Sequence, residues 1–205
     1  MLKGLNKFIV PSDDGLAAFL LASAVLIKSD LTLNGEFNSR FIQADGQIYD
    51  LLNFMDVKYT KTKKSITIKG PFHLKGGRFS LKNCPDLVPI MAVLALFAEG
   101  VTHLCDIAHA RVKESDRISD LRNELLKIGA SVKETKDQLT ITPLPCYKND
   151  CILDPHHDHR LAMAFSVLGL KIGVRVKDIE CTHKSYPGFI KDFNSIGAKA
   201  LSNKK

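Results

Sequence analysis

The sequence predicts an α/β fold, or more loosely α+β, built from three βαβαββ units whose first helices are buried at the centre. Two repeated signals and one contrast carry this. An Asp stands ahead of an apolar, Ala-rich stretch three times, at Asp13, Asp86 and Asp158, 73 and 72 residues apart. A helix-to-strand turn recurs as LLNFMDVKY from Leu51, LLKIGASV from Leu125 and FNSIGAKAL from Phe193, aligning Met55, Ile128 and Ile196 at spacings of 73 and 68. Self-similarity at a fixed period marks a repeated supersecondary unit. The contrast lies within each unit, where an apolar helix is followed by an amphipathic one.

The middle copy shows the elements most clearly. RFSL reads as a strand, a helix runs from Pro89, and VTHLCDI is the next strand. Ile118 to Ile128 reads as a helix with Ile118, Leu121, Leu125 and Ile128 on one face. SVKE and QLTITP close the unit as a hairpin. The first helices, LAAFLLASAVLI, LVPIMAVLALF and RLAMAFSVLGL, are apolar nearly all round and are predicted inside; the second helices keep a charged face in water. Gly129 and Gly197 suit the left-handed residue that ends a helix, and Asp56 takes that place in the first copy. The repeats are placed at 1–75, 76–148 and 149–205 in a single domain, the third incomplete. No closing strand follows Ala198 to Leu201, so an exposed sheet edge is expected.

Composition limits the function. With 205 residues and 45% hydrophobic content the chain buries a core without staples, and 25% charged with 7% aromatic residues is ordinary for a globular protein. The net charge of +7 favours acidic partners, whether nucleic acid, anionic membrane or phosphorylated metabolite. Cys84, Cys105, Cys146, Cys151 and Cys181 are odd in number and form no CxxC pair, which points to reduced thiols and a cytoplasmic protein. His156, His157 and His159 lie close together, but no second ligand cluster supports a metal, and no cofactor is implied. Met1 to Asn6 lacks the apolar core of a signal peptide, and Leu16 to Ile27 is too short to span a bilayer.

Three buried helices bundled inside three sheets place their N-termini at one end, where each contributes roughly half a positive charge. Arg40, Lys113 and Lys184 stand just ahead of the second helices at spacings of 73 and 71. A cation there opposes the helix dipole, so local stability does not explain it and an external anion does. Asp13 and Asp158 read as helix N-caps, each stabilising by around 1 kcal/mol. RVKESDR, Arg111 to Arg117, reads locally as a solvated first turn capped by Ser115 or Asp116.

RVKESDRI is also similar to the signature of the 5-enolpyruvylshikimate 3-phosphate synthases. NCPDLVPIMAVLALFAEGVTHL from Asn83, DHRLAMAFSVL from Asp158 and CTHKSYPGF from Cys181 extend the resemblance, which runs from about Lys7 to about Leu201. Members of that family are roughly twice as long. The resemblance therefore implies one domain of the enolpyruvyl transferase fold, an inside-out α/β barrel with pseudo-threefold symmetry, made mainly from the C-terminal half. It implies transfer of the enolpyruvyl group of phosphoenolpyruvate to the 5-hydroxyl of shikimate 3-phosphate. Arg117, Arg160 and Lys184 would hold the phosphate and carboxylate of phosphoenolpyruvate, and Lys113 would reach the shikimate side. Asp86, as both cap and base, and Glu114 would be the acid and base pair. His109 stands where an Asn commonly contacts shikimate phosphate, and PSDDGLAAF departs from the family's Gly-Asp followed by two Ser. The missing N-terminal domain is the implied partner, without which the half is expected to turn over weakly or not at all. A UDP-N-acetylglucosamine enolpyruvyl transferase fits KESDR, DHR and KSYPGF less well. A basic βαβαββ RNA-binding module is disfavoured because the cations are few, fixed and without exposed aromatics for stacking.

Overall fold

The computed structural model describes residues 9–37 and 43–201. The first unit opens with α1, Asp14–Leu26, in which every residue but Leu16 is buried. It continues through β1 (Leu31–Asn34) and a 3-10 turn, Ala44–Gln47, that leads into α2 (Ile48–Phe54). The hairpin β2 (Tyr59–Lys61) and β3 (Ser65–Ile68) closes the unit. The strand expected ahead of α1 is not among residues 9–13.

The short β4 (Leu74–Lys75) leads into the second unit, β5 (Arg78–Ser80), a 3-10 turn at Pro85–Leu87 and α3 (Val88–Ala95). β6 (Ala98–Glu99) pairs in parallel with β4 and laces the two units together. Then come β7 (Thr102–Cys105), a 3-10 turn at Ala108–Val112, α4 (Arg117–Lys127), β8 (Ser131–Glu134) and β9 (Gln138–Thr142). β5 and β7 are parallel, β9 lies antiparallel to β7, and β8 folds back on β9 with Val132 opposite Ile141. Among the described residues the first unit repeats this pattern from its second strand on, in the order β1-β3-β2.

The third unit consists of β10 (Cys151–Leu153), α5 (His159–Ile172), β11 (Val174–Val176), a 3-10 turn at Ile179–Lys184 and α6 (Phe189–Ser195). β10 and β11 pair in parallel, and residues 196–201 form no strand. The edge of β11 away from β10 is thus unpaired among the described residues.

α1, α3 and α5 pack on one another and form the core. All eight residues of α3 are buried, and burying a Leu or Ile side chain there contributes about 1.5–3 kcal/mol. α5 departs from the expectation of a helix apolar all round. Its last turn emerges, with Lys171 exposed and Leu170 and Ile172 half-buried, because the sheet beside it has two strands rather than four. Lys171 bends back to donate to the Leu26 carbonyl at the C-terminal end of α1.

The left-handed turns fall where the repeat places them, with φ of 68° at Asp56, 81° at Gly129 and 100° at Gly197. Asp13 and Asp158 cap α1 and α5, accepting from the Leu16 N–H and from the Arg160 and Leu161 N–H groups. Asp86 does not cap α3. The 3-10 turn carries it past the helix start, and its carboxylate faces cations from other units. Among the described residues no helix is long and apolar enough to cross a membrane.

Candidate active site

Three first turns meet at one end of the bundle. Arg160, in the first turn of α5, donates from Nη2 to Asp86 Oδ2 at 3.1 Å, just ahead of α3. A Cβ at Gly15, in the first turn of α1, would stand 3.1 Å from Arg160 Nη1. The helix N-termini therefore converge, and their free N–H groups favour negative charge there.

Arg117, the first residue of α4, is the hub. Its side chain is 1% exposed and three carboxylates surround it. Nε donates to Asp158 at 2.7 Å, Nη1 to Asp86 at 2.6 Å and Nη2 to Glu114 at 2.8 Å. Such a charge is tolerated inside a protein only when fully paired, and this one is. Asp158 is also fully buried, so one carboxylate both caps α5 and neutralises Arg117.

Arg160 is built differently. It is 7% exposed, its guanidinium lies 5.9 Å from the centre of the Phe19 ring, and only Nη2 is engaged. Nε and Nη1 are buried without a hydrogen-bond partner among the described residues. Unmade hydrogen bonds of a buried cation are costly, and an anion would complete them. Around it stand Lys113, 3.6 Å from Asp86, and Lys184, 3.6 Å from Glu114.

Asp86 and Glu114 are charged at neutral pH. Burial pushes Asp86 up, but Arg117, Arg160 and Lys113 together hold it below the ordinary carboxylate range. Glu114 is likewise raised by burial and then lowered further by its own backbone N–H, Arg117, His159 and Lys184. Burial and the neighbouring Arg160 lower His159, leaving it neutral, and its Nδ1 is buried without a partner among the described residues. Cys84 is pushed up to about 12 by burial, with Asp45 and Asp86 adding to it, so its thiol is no nucleophile.

Six of the residues singled out in the sequence thus share one constellation: Asp86, Lys113, Glu114, Arg117, Arg160 and Lys184. His109 stands apart. It lies on the Ala108–Val112 turn, which packs against the Asp86 turn, but among the described residues no hydrogen bond or ion pair joins it to the cluster. Its Nε2 is buried without a partner among the described residues. Arg40 lies outside the described residues. His156 and His157 turn away to Glu124 and Asp178. Three participants had no distinctive signal: Asp158 as an ion-pair partner, His159, and Asp45, whose carboxyl lies against Gly15. Asp158 and His159 lie in the quoted DHR motif, where the capping role masked the first.

A family profile described as EPSP synthase (3-phosphoshikimate 1-carboxyvinyltransferase) matches residues 3–193. The chain belongs to the EPSP synthase family. Among EPSP synthase relatives it is 36% identical to the 3-phosphoshikimate 1-carboxyvinyltransferase of Methanococcus aeolicus over 206 residues, covering 97% of this chain and 47% of that protein. To the enzyme of that name from Nitrosopumilus maritimus it is 38% identical over 193 residues, covering 94% and 45%. The solved EPSP synthase of Acinetobacter baumannii superposes with a TM-score of 0.78 at 28% identity, over 92% of this chain and 46% of that one. The enolpyruvyl transferase NikO of Streptomyces tendae shares the fold, with a TM-score of 0.74 at 20% identity over 91% and 43% of the two chains. The chain spans just under half the length of the relatives it matches.

Proposed function

We propose that this chain forms one half of a 3-phosphoshikimate 1-carboxyvinyltransferase, a second domain of similar size supplying the rest of the cleft. The substrates are phosphoenolpyruvate and shikimate 3-phosphate, in the cytoplasm. The observation that carries this is Arg160, a buried guanidinium with two open donors amid the Arg117 cluster, in a family whose named members transfer a carboxyvinyl group. Planar guanidinium groups suit bidentate binding of a carboxylate or phosphate, and Lys serves as a point charge.

In this proposal Arg160, Arg117 and Lys184 take the phosphate and carboxylate of phosphoenolpyruvate, while Lys113 and His109 serve shikimate 3-phosphate. Asp86, held anionic by its cations, accepts the proton of the 5-hydroxyl as that oxygen bonds to C2 of phosphoenolpyruvate. C3 gains a proton from Glu114. An arriving anion draws Arg117 and Lys184 away from Glu114, which removes two of the influences that lower its pKa and favours its protonated form. The Glu114 carboxylate then takes a proton back from C3 as the C2–O bond to the phosphate breaks, which restores the double bond, and the phosphate leaves with the proton held by Asp86.

In the chain alone Lys113, Arg117 and Lys184 each face a carboxylate of the protein and Arg160 shares Asp86 through Nη2, so an anion competes with internal pairs and binds weakly. The test is a turnover assay with both substrates, run on this chain with and without a complementing N-terminal half. Activity should appear only in the pair; an inactive, properly associated pair sinks the proposal.

A further inference from the structure

The turn Ala44–Gln47 carries a carboxyl that neither the repeat nor the family signature marks. Two amides clamp the turn. Gln43 accepts from the Asp14 N–H at 3.0 Å through Oε1 and donates to the Ser12 carbonyl at 2.7 Å through Nε2. Gln47 donates to the Ser80 carbonyl at 3.2 Å and accepts from the Cys84 thiol at 3.2 Å. The turn is therefore tied at one end to the head of α1 and at the other to the loop ahead of α3, with Asp45 between the ties.

Its carboxyl is aimed inward. A Cβ at Gly15 would overlap Asp45 Oδ2 and lie 3.1 Å from Arg160 Nη1, so the missing side chain is what allows carboxyl and guanidinium to approach. Nη1 is one of the two open donors of Arg160.

We propose that Asp45 is a positioning residue of the anion site, setting the charge that faces the open side of Arg160 and making anion binding there dependent on pH. The proposal rests on the reading of Arg160 as an anion ligand. Burial pushes Asp45 up to about 6; Arg160 and Lys113 act against that, and Asp86 and Asp13 add to it. These groups face it from the head of α5, the loop before α4, the turn before α3 and the head of α1. Asp14 lies near as well, its Oδ2 3.1 Å from where a Cβ on Gly46 would stand. Above its titration Asp45 places a negative charge beside the open N–H groups and repels an anion. Below it the field of Arg160 is unopposed, and the protonated carboxyl can donate.

Sulfate is the suitable probe, because its charge does not change between pH 5.0 and 7.5. Calorimetric titration of the chain should show about fivefold weaker sulfate binding at the higher pH, the size expected for one nearby charge under partial screening. Asp45→Asn should bind equally at both, with the acid affinity of the wild type. Asp45→Ser should behave alike and guards against a folding failure of either variant. A wild-type slope surviving in these variants assigns the dependence to His159 and overturns the proposal, as does a flat wild-type profile. Arg160→Gln separates the two levels: undiminished sulfate binding by that variant defeats the anion-site reading itself. Absence of sulfate binding to the wild type at either pH defeats both.

Discussion

Arg117 and Asp158 form a buried pair that does two jobs, and the jobs can be separated. Asp158→Asn keeps an N-cap for α5 but removes the charge closest to Nε. Urea unfolding at pH 7 should show a loss of about 3–5 kcal/mol, because Arg117 is left under-compensated in a dry setting. Asp158→Ala should cost about 1 kcal/mol more as the cap goes too. The carboxylates also predict opposite pH trends. Asp86 and Glu114 lie below their ordinary values of 3.8 and 4.5, so their contribution is complete above those values and is lost as pH falls through the lower folded ones. Asp45 has the reverse sign, since the folded state holds its proton more tightly. Stability from that group declines as pH rises from 3.8 towards about 6. Scanning calorimetry from pH 3 to 8 should accordingly find that Asp45→Asn raises the melting temperature at pH 7 and changes little near pH 4. Residue type was legible in the sequence here, since RVKESDR and DHR are dense in opposite charges, but the pairing was not.

At the scale of elements, α4 is the plainest case of local pattern dictating structure. Ile118, Leu121 and Leu125 are buried on one face, Asp116 caps the start by accepting from the Ile118 and Ser119 N–H groups, and Gly129 ends it at a φ of 81°. Gly129→Ala should cost about 1 kcal/mol by denaturant melting with an unchanged m-value. A Cβ there meets nothing closer than Lys148 Cε at 4.0 Å, so strain alone is measured. Helix type in the first two units followed from hydrophobic period, and α5 broke the pattern only where sheet cover ends. The capping role expected of Asp86 fails for a related reason. An Asp two residues before a helical stretch looks like a cap from sequence, whereas the 3-10 turn that holds it redirects its side chain across units.

At the scale of the molecule, the third unit has two paired strands where the second has four, and β11 presents a free edge among the described residues. If the complementing half supplies the partners for that edge, hydrogen exchange at Val174–Val176 should slow when the half is added and stay fast without it. What the sequence determined by itself was the repeat, the two kinds of helix, the turn residues and the set of cations and carboxylates, because each is written in local spacing along the chain. What the tertiary structure decided was who pairs with whom. Arg117 meets Asp86 across 31 residues and Asp158 across 41, while Arg160 meets Asp86 across 74. Those meetings depend on three helix N-termini arriving at one place, which sets the distances and dielectric that leave Arg117 saturated, Arg160 open and Asp45 facing it.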